Sequence, residues 1–318
     1  MTKRILVTGV NGFVGKHLVR ELSRAGCKVS GASLGTFIAP EIKSYLDQYI
    51  ACDLSRPDEV NKLDFKRFDT IISLAGLTNV RKSFDQRDNY IKINVAVLVN
   101  MCNRIVAQGI SPRVIAISTG TAYETNQPMP LTEKSKLITS NGSPYALSKI
   151  KMENAAFTFN KRNQLECIVV RPFNHIGPGQ EAGFLVPDLY QKIMRALKKG
   201  GAITTGNLST RRDYTDVRDV VRAYVDLALA SQGTLKSPVY NICSGVSHSG
   251  EEILAYIKKY IPGAKTIRTV VDPGLVRVND PDVLVGSNKL INQAVGWQPT
   301  IPLGQTIKDF VTSQAPIL

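Results

Sequence analysis

The sequence predicts an α/β protein: a doubly wound parallel sheet with a smaller C-terminal lid. Three observations carry this. Short apolar, strand-like runs alternate with helical spacings from residue 4 to residue 171. The first run leads without a gap into a glycine turn, and beyond Arg171 the regular alternation fails.

Arg4-Ile5-Leu6-Val7-Thr8 is rich in β-branched residues and reads as a strand. Gly9-Val10-Asn11-Gly12-Phe13-Val14-Gly15 follows as the turn, and Leu18, Val19 and Leu22 then recur at helical spacing. Strand, glycine turn and helix in this order form a phosphate-binding crossover. The glycines let the backbone approach a pyrophosphate, whose charge sits at the helix N-terminus. The spacing, Gly9-x-x-Gly12-x-x-Gly15, is a variant of the dinucleotide-binding fingerprint.

A second strand, Cys27 to Ala32, ends at Ser33-Leu34-Gly35. A carboxylate at this point would hold the ribose 2′-hydroxyl of NAD and repel a 2′-phosphate. None is present, which favours NADP(H); no arginine stands there either, and NAD(H) is kept as the other candidate. Tyr49 to Cys52 reads as a third strand closed by Asp53-Leu54, where Asp53 could accept from an adenine amino group or simply cap a loop. Phe68 to Leu74 is a fully apolar strand of the buried parallel kind, and Ala75-Gly76 behind it allows close backbone approach to a ligand. A long helix is predicted from Tyr90 to Ile105, a fifth strand from Arg113 to Ser118, and a sixth from Cys167 to Arg171. Ligands of such sheets bind at the carboxyl ends of the strands.

Pro172 to Gln180 is a loop by composition. Val186 to Leu197 reads as a helix, Arg211-Arg212-Asp213-Tyr214 precedes another from Val217 to about Ala230, and Val239 to Cys243 reads as a strand returning to the sheet. A helix near Ile253, a strand near Ile267 and helices near Leu290 and Ile307 complete the chain. The division that follows is 1–171 plus about 213–245 for the dinucleotide-binding unit, and about 172–212 plus 246–318 for the lid.

Composition narrows the function classes. Hydrophobic residues make up 43% and charged residues 21% of the 318, which excludes a disordered chain. No apolar run approaches ~18 residues, so no membrane span is expected. The opening Met1-Thr2-Lys3-Arg4 leads into a strand too short for a signal-peptide core. Five widely spaced cysteines without a Cys-x-x-Cys pair read as reduced, buried thiols of a cytoplasmic protein, and three scattered histidines make a metal site unexpected. The net charge of +14 is spread in short pairs such as Lys198-Lys199, without a basic tail or nucleic-acid module. It suits a small polyanionic ligand rather than nucleic acid.

The chemistry is written in Ser143-Pro144-Tyr145-Ala146-Leu147-Ser148-Lys149. Asn141-Gly142-Ser143-Pro144 is turn chemistry, and helical spacing begins at Tyr145. Residues four apart share a helix face, so the Tyr145 phenol and the Lys149 ammonium point into the same space. The ammonium is expected to lower the tyrosine pKa towards neutrality, as a general acid at pH 7 requires. An ordinary surface helix would show the same spacing by chance. Thr119 ends the fifth strand, where it could equally be a strand-end cap.

Gly9-x-x-Gly12-x-x-Gly15, Thr119 and Tyr145-x-x-x-Lys149 together resemble the short-chain dehydrogenase/reductase superfamily, and the length and C-terminal portion resemble its extended, nucleotide-sugar-modifying branch. Arg171-Pro172-Phe173-Asn174-His175-Ile176-Gly177-Pro178-Gly179-Gln180, Arg212-Asp213-Tyr214-Thr215-Asp216-Val217, Tyr240-Asn241-Ile242-Cys243-Ser244-Gly245 and Gly296-Trp297-Gln298-Pro299 are similar to the GDP-6-deoxy-4-keto-D-mannose reductases, which form GDP-D-rhamnose. The resemblance covers essentially the whole chain and implies a Rossmann-type domain with a nucleotide-sugar-binding lid.

The resemblance implies reduction of a C4 ketone by NAD(P)H. Tyr145 would protonate the alkoxide, Lys149 would hold the nicotinamide ribose, and Thr119 would bond the carbonyl oxygen. Cofactor contacts would come from Gly9, Asn11, Gly12, Phe13, Val14, Gly15 and Ser33, from Asp53, Leu54, Leu74, Ala75, Gly76 and Asn94, and from Tyr145, Lys149 and Pro172. A GDP-linked sugar would meet Thr78, Thr119 and Asn174, with Leu185 and Val186 flooring the base pocket and Arg212 and Arg277 on the diphosphate. Arg211 is the alternative to Arg212, His175 is a candidate proton shuttle or a structural residue, and Trp297 is expected to pack in the lid. A homodimer through the helices of Asn94 and Tyr145 is a further implication.

Departures from related families narrow the reaction. The 4,6-dehydratases carry an acid pair immediately after this threonine, where Gly120 and Thr121 stand here. Epimerase-reductases forming GDP-fucose carry a cysteine at the Thr121 place and a histidine at the Gly179 place. What survives is a reductase, or a 4-epimerase using hydride transfer in both directions; Ser33 in place of an acid favours the reductase. A non-catalytic NADP-binding regulator is the remaining alternative, but such proteins commonly lose the tyrosine or lysine kept here.

Overall fold

The computed structural model describes residues 2–276 and 281–314. In chain order its strands are β1 (Arg4–Thr8), β2 (Lys28–Ser33), β3 (Gln48–Ala51), β4 (Thr70–Ser73), β5 (Arg113–Ile117), β6 (Cys167–Pro172), β7 (Asn174–Ile176), β8 (Ile203–Thr205), β9 (Arg211–Asp216), β10 (Val239–Ile242), β11 (Ser247–Ser249), β12 (Thr269–Val271) and β13 (Val283–Leu284). The α-helices are α1 (Phe13–Arg24), α2 (Pro57–Val60), α3 (Val80–Asp85), α4 (Arg87–Ala107), α5 (Pro144–Asn163), α6 (Leu185–Lys199), α7 (Val217–Leu229), α8 (Gly250–Tyr260), α9 (Lys289–Val295) and α10 (Leu303–Ser313).

Seven strands form one sheet in the order β10-β6-β5-β4-β1-β2-β3, and every pair is parallel. The order reverses beside β1, so a crevice opens at the carboxyl ends of β1 and β4, just where the glycine turn leaves the sheet. Side chains alternate across β1. Ile5 and Val7 join α1 and α7 on one face, with Leu18, Leu22 and Tyr224, while Leu6 joins α4 and α5 on the other, with Leu98, Met101 and Met152. Among the described residues α4 is the one helix long and apolar enough to cross a membrane by length and composition. Its Val97, Leu98, Met101, Cys102 and Ile105 are packed in this core.

A third core joins two separated stretches of chain. Val186, Leu189 and Ile193 of α6 meet Ile253 and Ile257 of α8 and Ile307 and Phe310 of α10. Two expectations from the sequence are corrected nearby. Pro172 to Gln180 is not all loop, because Asn174–Ile176 pairs in parallel with Tyr214–Asp216 of β9, which itself is a strand. The turn residues around it hid a segment too short to show periodicity. Trp297 packs as expected but against the sheet rather than in the lid core: it lies in the α1–α7 cluster, and its indole N–H donates to the Asp219 carbonyl at 3.0 Å.

Candidate functional site

Ser143 caps α5 by accepting from the Ala146 N–H at 3.1 Å, and Pro144 opens the first turn. That start puts Tyr145 in the first turn and Lys149 one turn later, facing the end of β5. Lys149 is buried, and its ammonium donates to the Ile117 carbonyl at 2.7 Å. Thr119 acts as the cap considered for it. Its hydroxyl caps the following turn by accepting from the Thr121 N–H at 3.2 Å, and it stands near enough to the Tyr145 phenol to lower the phenol's pKa.

The electrostatics differ from the expectation. Burial pushes the Tyr145 phenol up to about 12, and Thr119 only partly opposes this. Burial pushes Lys149 down to about 8, opposed by the Glu153 carboxylate. Loss of water disfavours both charged forms, so the lysine does not bring the phenol towards neutrality. The pair is a protonated phenol beside an amine that changes charge near pH 8. It can give a proton to a developing oxyanion.

Beside this pair lies a cradle with the shape of a dinucleotide site. Gly9 has a φ of +67°, and a Cβ there would lie 2.9 Å from the Ala75 nitrogen; a Cβ on Gly15 would lie 2.5 Å from the Gly9 carbonyl oxygen. The turn and helix can approach β4 this closely only as glycines. Gly12 leaves the first N–H groups of α1, through Phe13 and Val14, without a side-chain cap, as a phosphate site requires. Gly76 follows Leu74 and Ala75, and its missing Cβ would lie 3.9 Å from the Lys149 ammonium. These residues fit a nicotinamide dinucleotide laid from the glycine turn to Lys149.

Several candidates act on the cradle's walls. The Asn11 amide donates to the Phe37 carbonyl at 2.7 Å, and its oxygen accepts from the Ala39 N–H at 3.0 Å. This holds the loop after Ser33 against the turn. Asp53 caps its own loop, one carboxylate oxygen accepting from the Ser55 N–H and hydroxyl, and Leu54 is buried behind it. Asn94 is fully committed: its oxygen accepts from the Leu77 N–H, and its amide donates to the Leu77 carbonyl and the Ser148 hydroxyl. It clamps the loop after β4 onto α5. Pro172 is buried at the end of β6.

On the substrate side Thr78 is exposed ahead of α3, Asn174 is partly buried on β7, and Leu185 is partly buried at the start of α6. Val186 is instead fully buried inside the lid core, so only Leu185 of the pair offers surface. Arg211 turns to Glu252, with a 2.7 Å ion pair, and to the Ser247 carbonyl. Arg212 donates to the Arg211 and Pro281 carbonyls at 2.8 Å each. Arg277 lies outside the described residues. The His175 ring stacks on Phe13 with centroids 6.2 Å apart, and its Nδ1 lies 3.1 Å from the Phe173 carbonyl. It buttresses the glycine turn.

Residues 5–243 match the model of the NAD dependent epimerase/dehydratase family. The chain belongs to that family. Within this extended short-chain dehydrogenase/reductase group, the chain is 31% identical over 311 residues to the GDP-6-deoxy-D-mannose reductase of Pseudomonas aeruginosa, covering 97% of this chain and 96% of that protein. It is 25% identical to a UDP-glucose 4-epimerase of Lactobacillus helveticus over 93% of this chain and 92% of the relative. The solved structure of RMD from Pseudomonas aeruginosa complexed with NADPH superposes with a TM-score of 0.83 at 29% identity, covering 98% of both chains.

The family site has supports that sequence reasoning missed. The Tyr49 hydroxyl lies 2.9 Å from the Gly35 carbonyl and 2.8 Å from the Phe37 carbonyl, either of which can take its proton, bracing the loop held by Asn11. Glu153, Ser118 and Arg171 form a buried cluster behind Lys149 and Thr119. Glu153 stands four residues after Lys149, and that spacing was the available signal.

Proposed function

We propose that the protein is an NAD(P)H-dependent 4-ketoreductase of a nucleotide-activated 4-keto-6-deoxyhexose, with GDP-4-keto-6-deoxy-D-mannose as substrate and GDP-D-rhamnose as product. The observation that carries this is the meeting of Tyr145, Thr119 and Lys149 at the end of β5, beside a dinucleotide cradle and next to an acid-free Gly120-Thr121. The likeness to a GDP-6-deoxy-D-mannose reductase along 97% of the chain supports the same reading.

When bound, NAD(P)H would supply the hydride that the C4 carbonyl carbon needs. Thr119 orients the carbonyl oxygen, and the Tyr145 phenol, kept protonated by burial, hands its proton to that oxygen. Lys149, fixed by its ammonium on the Ile117 carbonyl, would hold the nicotinamide ribose. The glycine turn and α1 would bind the pyrophosphate, and the absence of an acid at Ser33 would leave a 2′-phosphate of NADP(H) unrepelled. The parts 172–212 and 246–318 hold the nucleotide sugar, with Asn174, Leu185, Arg212 and Arg277 on its polar and base groups. Two copies pair through α4 and α5; a monomer mass by light scattering contradicts this.

Incubation with GDP-4-keto-6-deoxymannose and NADPH should consume one cofactor per sugar and give GDP-D-rhamnose by NMR. Absence of cofactor oxidation with this ketone and its dTDP counterpart sinks the proposal. The 25% likeness to a UDP-glucose 4-epimerase supports a second reading, a 4-epimerase. In that case the purified protein carries NAD and converts a plain nucleotide sugar without reductant.

A further inference from the structure

A buried ion pair lies directly behind the candidate reacting groups. Glu153 is fully buried on α5, one turn beyond Lys149, and Arg171 on β6 is 3% exposed. One Glu153 oxygen accepts from Arg171 Nε at 2.9 Å and from the Ser118 hydroxyl; the other accepts from Arg171 Nη2. Arg171 Nη1 donates to the Tyr123 hydroxyl at 2.9 Å, which donates to Asn241 Oδ1 at 2.7 Å. α5, the end of β5 and β6 are thereby joined to one carboxylate.

Ser118 gives the cluster its bearing on chemistry. It stands between Ile117, whose carbonyl receives the Lys149 ammonium, and Thr119, which lies near enough to the Tyr145 phenol to lower its pKa. A replacement of such a pair by apolar residues is often neutral or stabilising, so the pair is poorly explained by stability alone. We propose that Glu153 is a positioning residue: through Ser118 it straps residues 117–119 to α5, setting Lys149 on the Ile117 carbonyl and Thr119 beside Tyr145. This rests on the reading that Tyr145, Lys149 and Thr119 are the reacting groups. Glu153 acts on Lys149 from α5 and is itself paired with Arg171 on β6, while Tyr90 on α4 and Tyr224 on α7 face the neighbouring Tyr145. Of these, Glu153 supports the charge of Lys149.

The test reads Lys149 directly. Protein labelled with ¹³C at lysine Cε is titrated by NMR, with the Lys149 resonance identified by its loss in Lys149→Met. Ser118→Ala keeps the ion pair and so the fold; it is expected to lower the Lys149 midpoint from about 8, because the Ile117 carbonyl is no longer held to it. Glu153→Gln should lower it further, by about one pH unit, through loss of the carboxylate. With a ketone that is turned over, Ser118→Ala should cut kcat about tenfold or more while KM stays within about twofold. A Lys149 midpoint unchanged in Ser118→Ala overturns the strap, even where Glu153→Gln does not fold. Because the titration needs no substrate, it decides the strap separately from the reductase reading, which fails if the unaltered protein reduces no ketone.

Discussion

The Phe173 ring lies so close to Gly120 that a Cβ on Gly120 would sit 2.8 Å from Cδ2 of the ring. The residue after Thr119 is therefore bare for a steric reason, and an acid cannot be added there without moving a buried aromatic. Gly120→Asp is expected to destabilise the fold by about 2 kcal/mol, the cost of overpacking a filled site. Thermal melting measures this, and an unchanged melting temperature contradicts the packing.

Tyr145→Phe removes the proton donor and leaves the helix intact. Ketone reduction should fall by about a hundredfold or more, in line with loss of general acid catalysis. Circular dichroism should be unchanged. Retention of more than about a tenth of the rate excludes the phenol as the acid.

The charge of Lys149 sets an alkaline limit. Ketone reduction should decline as pH rises past about 8, where the ammonium is lost, while the phenol stays protonated to about 12. A rate that holds level to pH 10 rules this out.

Stability should respond to the same lysine with the opposite sense. Its folded pKa is lowered from 10.5 to about 8, so between these values the unfolded chain binds a proton that the folded chain has released. Stability attributable to Lys149 therefore rises with pH from about 8 to 10.5, and the burial penalty is complete below about 8. Lys149→Met should stabilise the protein at pH 7 by up to a few kcal/mol, with the gain shrinking towards pH 10.5. Denaturant unfolding at the two pH values measures the difference; a gain that grows with pH refutes the assignment.

Asn94→Ala should loosen the loop after β4. Three hydrogen bonds are lost and the Leu77 backbone is left unpaired, at a cost of about 3 kcal/mol. Faster amide exchange at Leu77 is the local signature, and unchanged exchange there contradicts the clamp.

Elements with long apolar or glycine signals were legible in the sequence. β1 begins and ends where Arg4–Thr8 was read, and Val239–Ile242 returns to the sheet beside β6 as expected. Helical spacing placed Tyr145 and Lys149 on one face and a strand end placed Thr119, but naming the three as one site needed the family resemblance. The pKa of Tyr145 was not legible, because it depends on how much water the fold removes, which spacing does not encode. β7 and β9 escaped for another reason: both are largely polar and are held by pairing between distant segments, β9 with β7, β11 and β13. Trp297 was rightly read as packing, yet its partner, Asp219 on α7, is 78 residues away.

The lid core takes Val186 and Ile193 from one stretch and Ile253, Ile307 and Phe310 from another, and the sheet face by α7 is finished by Ile291 and Trp297. On the ribosome, the lid core cannot be complete before Phe310 has been made, nor the sheet face before Trp297. The nascent chain must carry exposed apolar surface through most of its synthesis, and a ribosome stalled after Cys243 would hold a matched family segment that still lacks part of both cores.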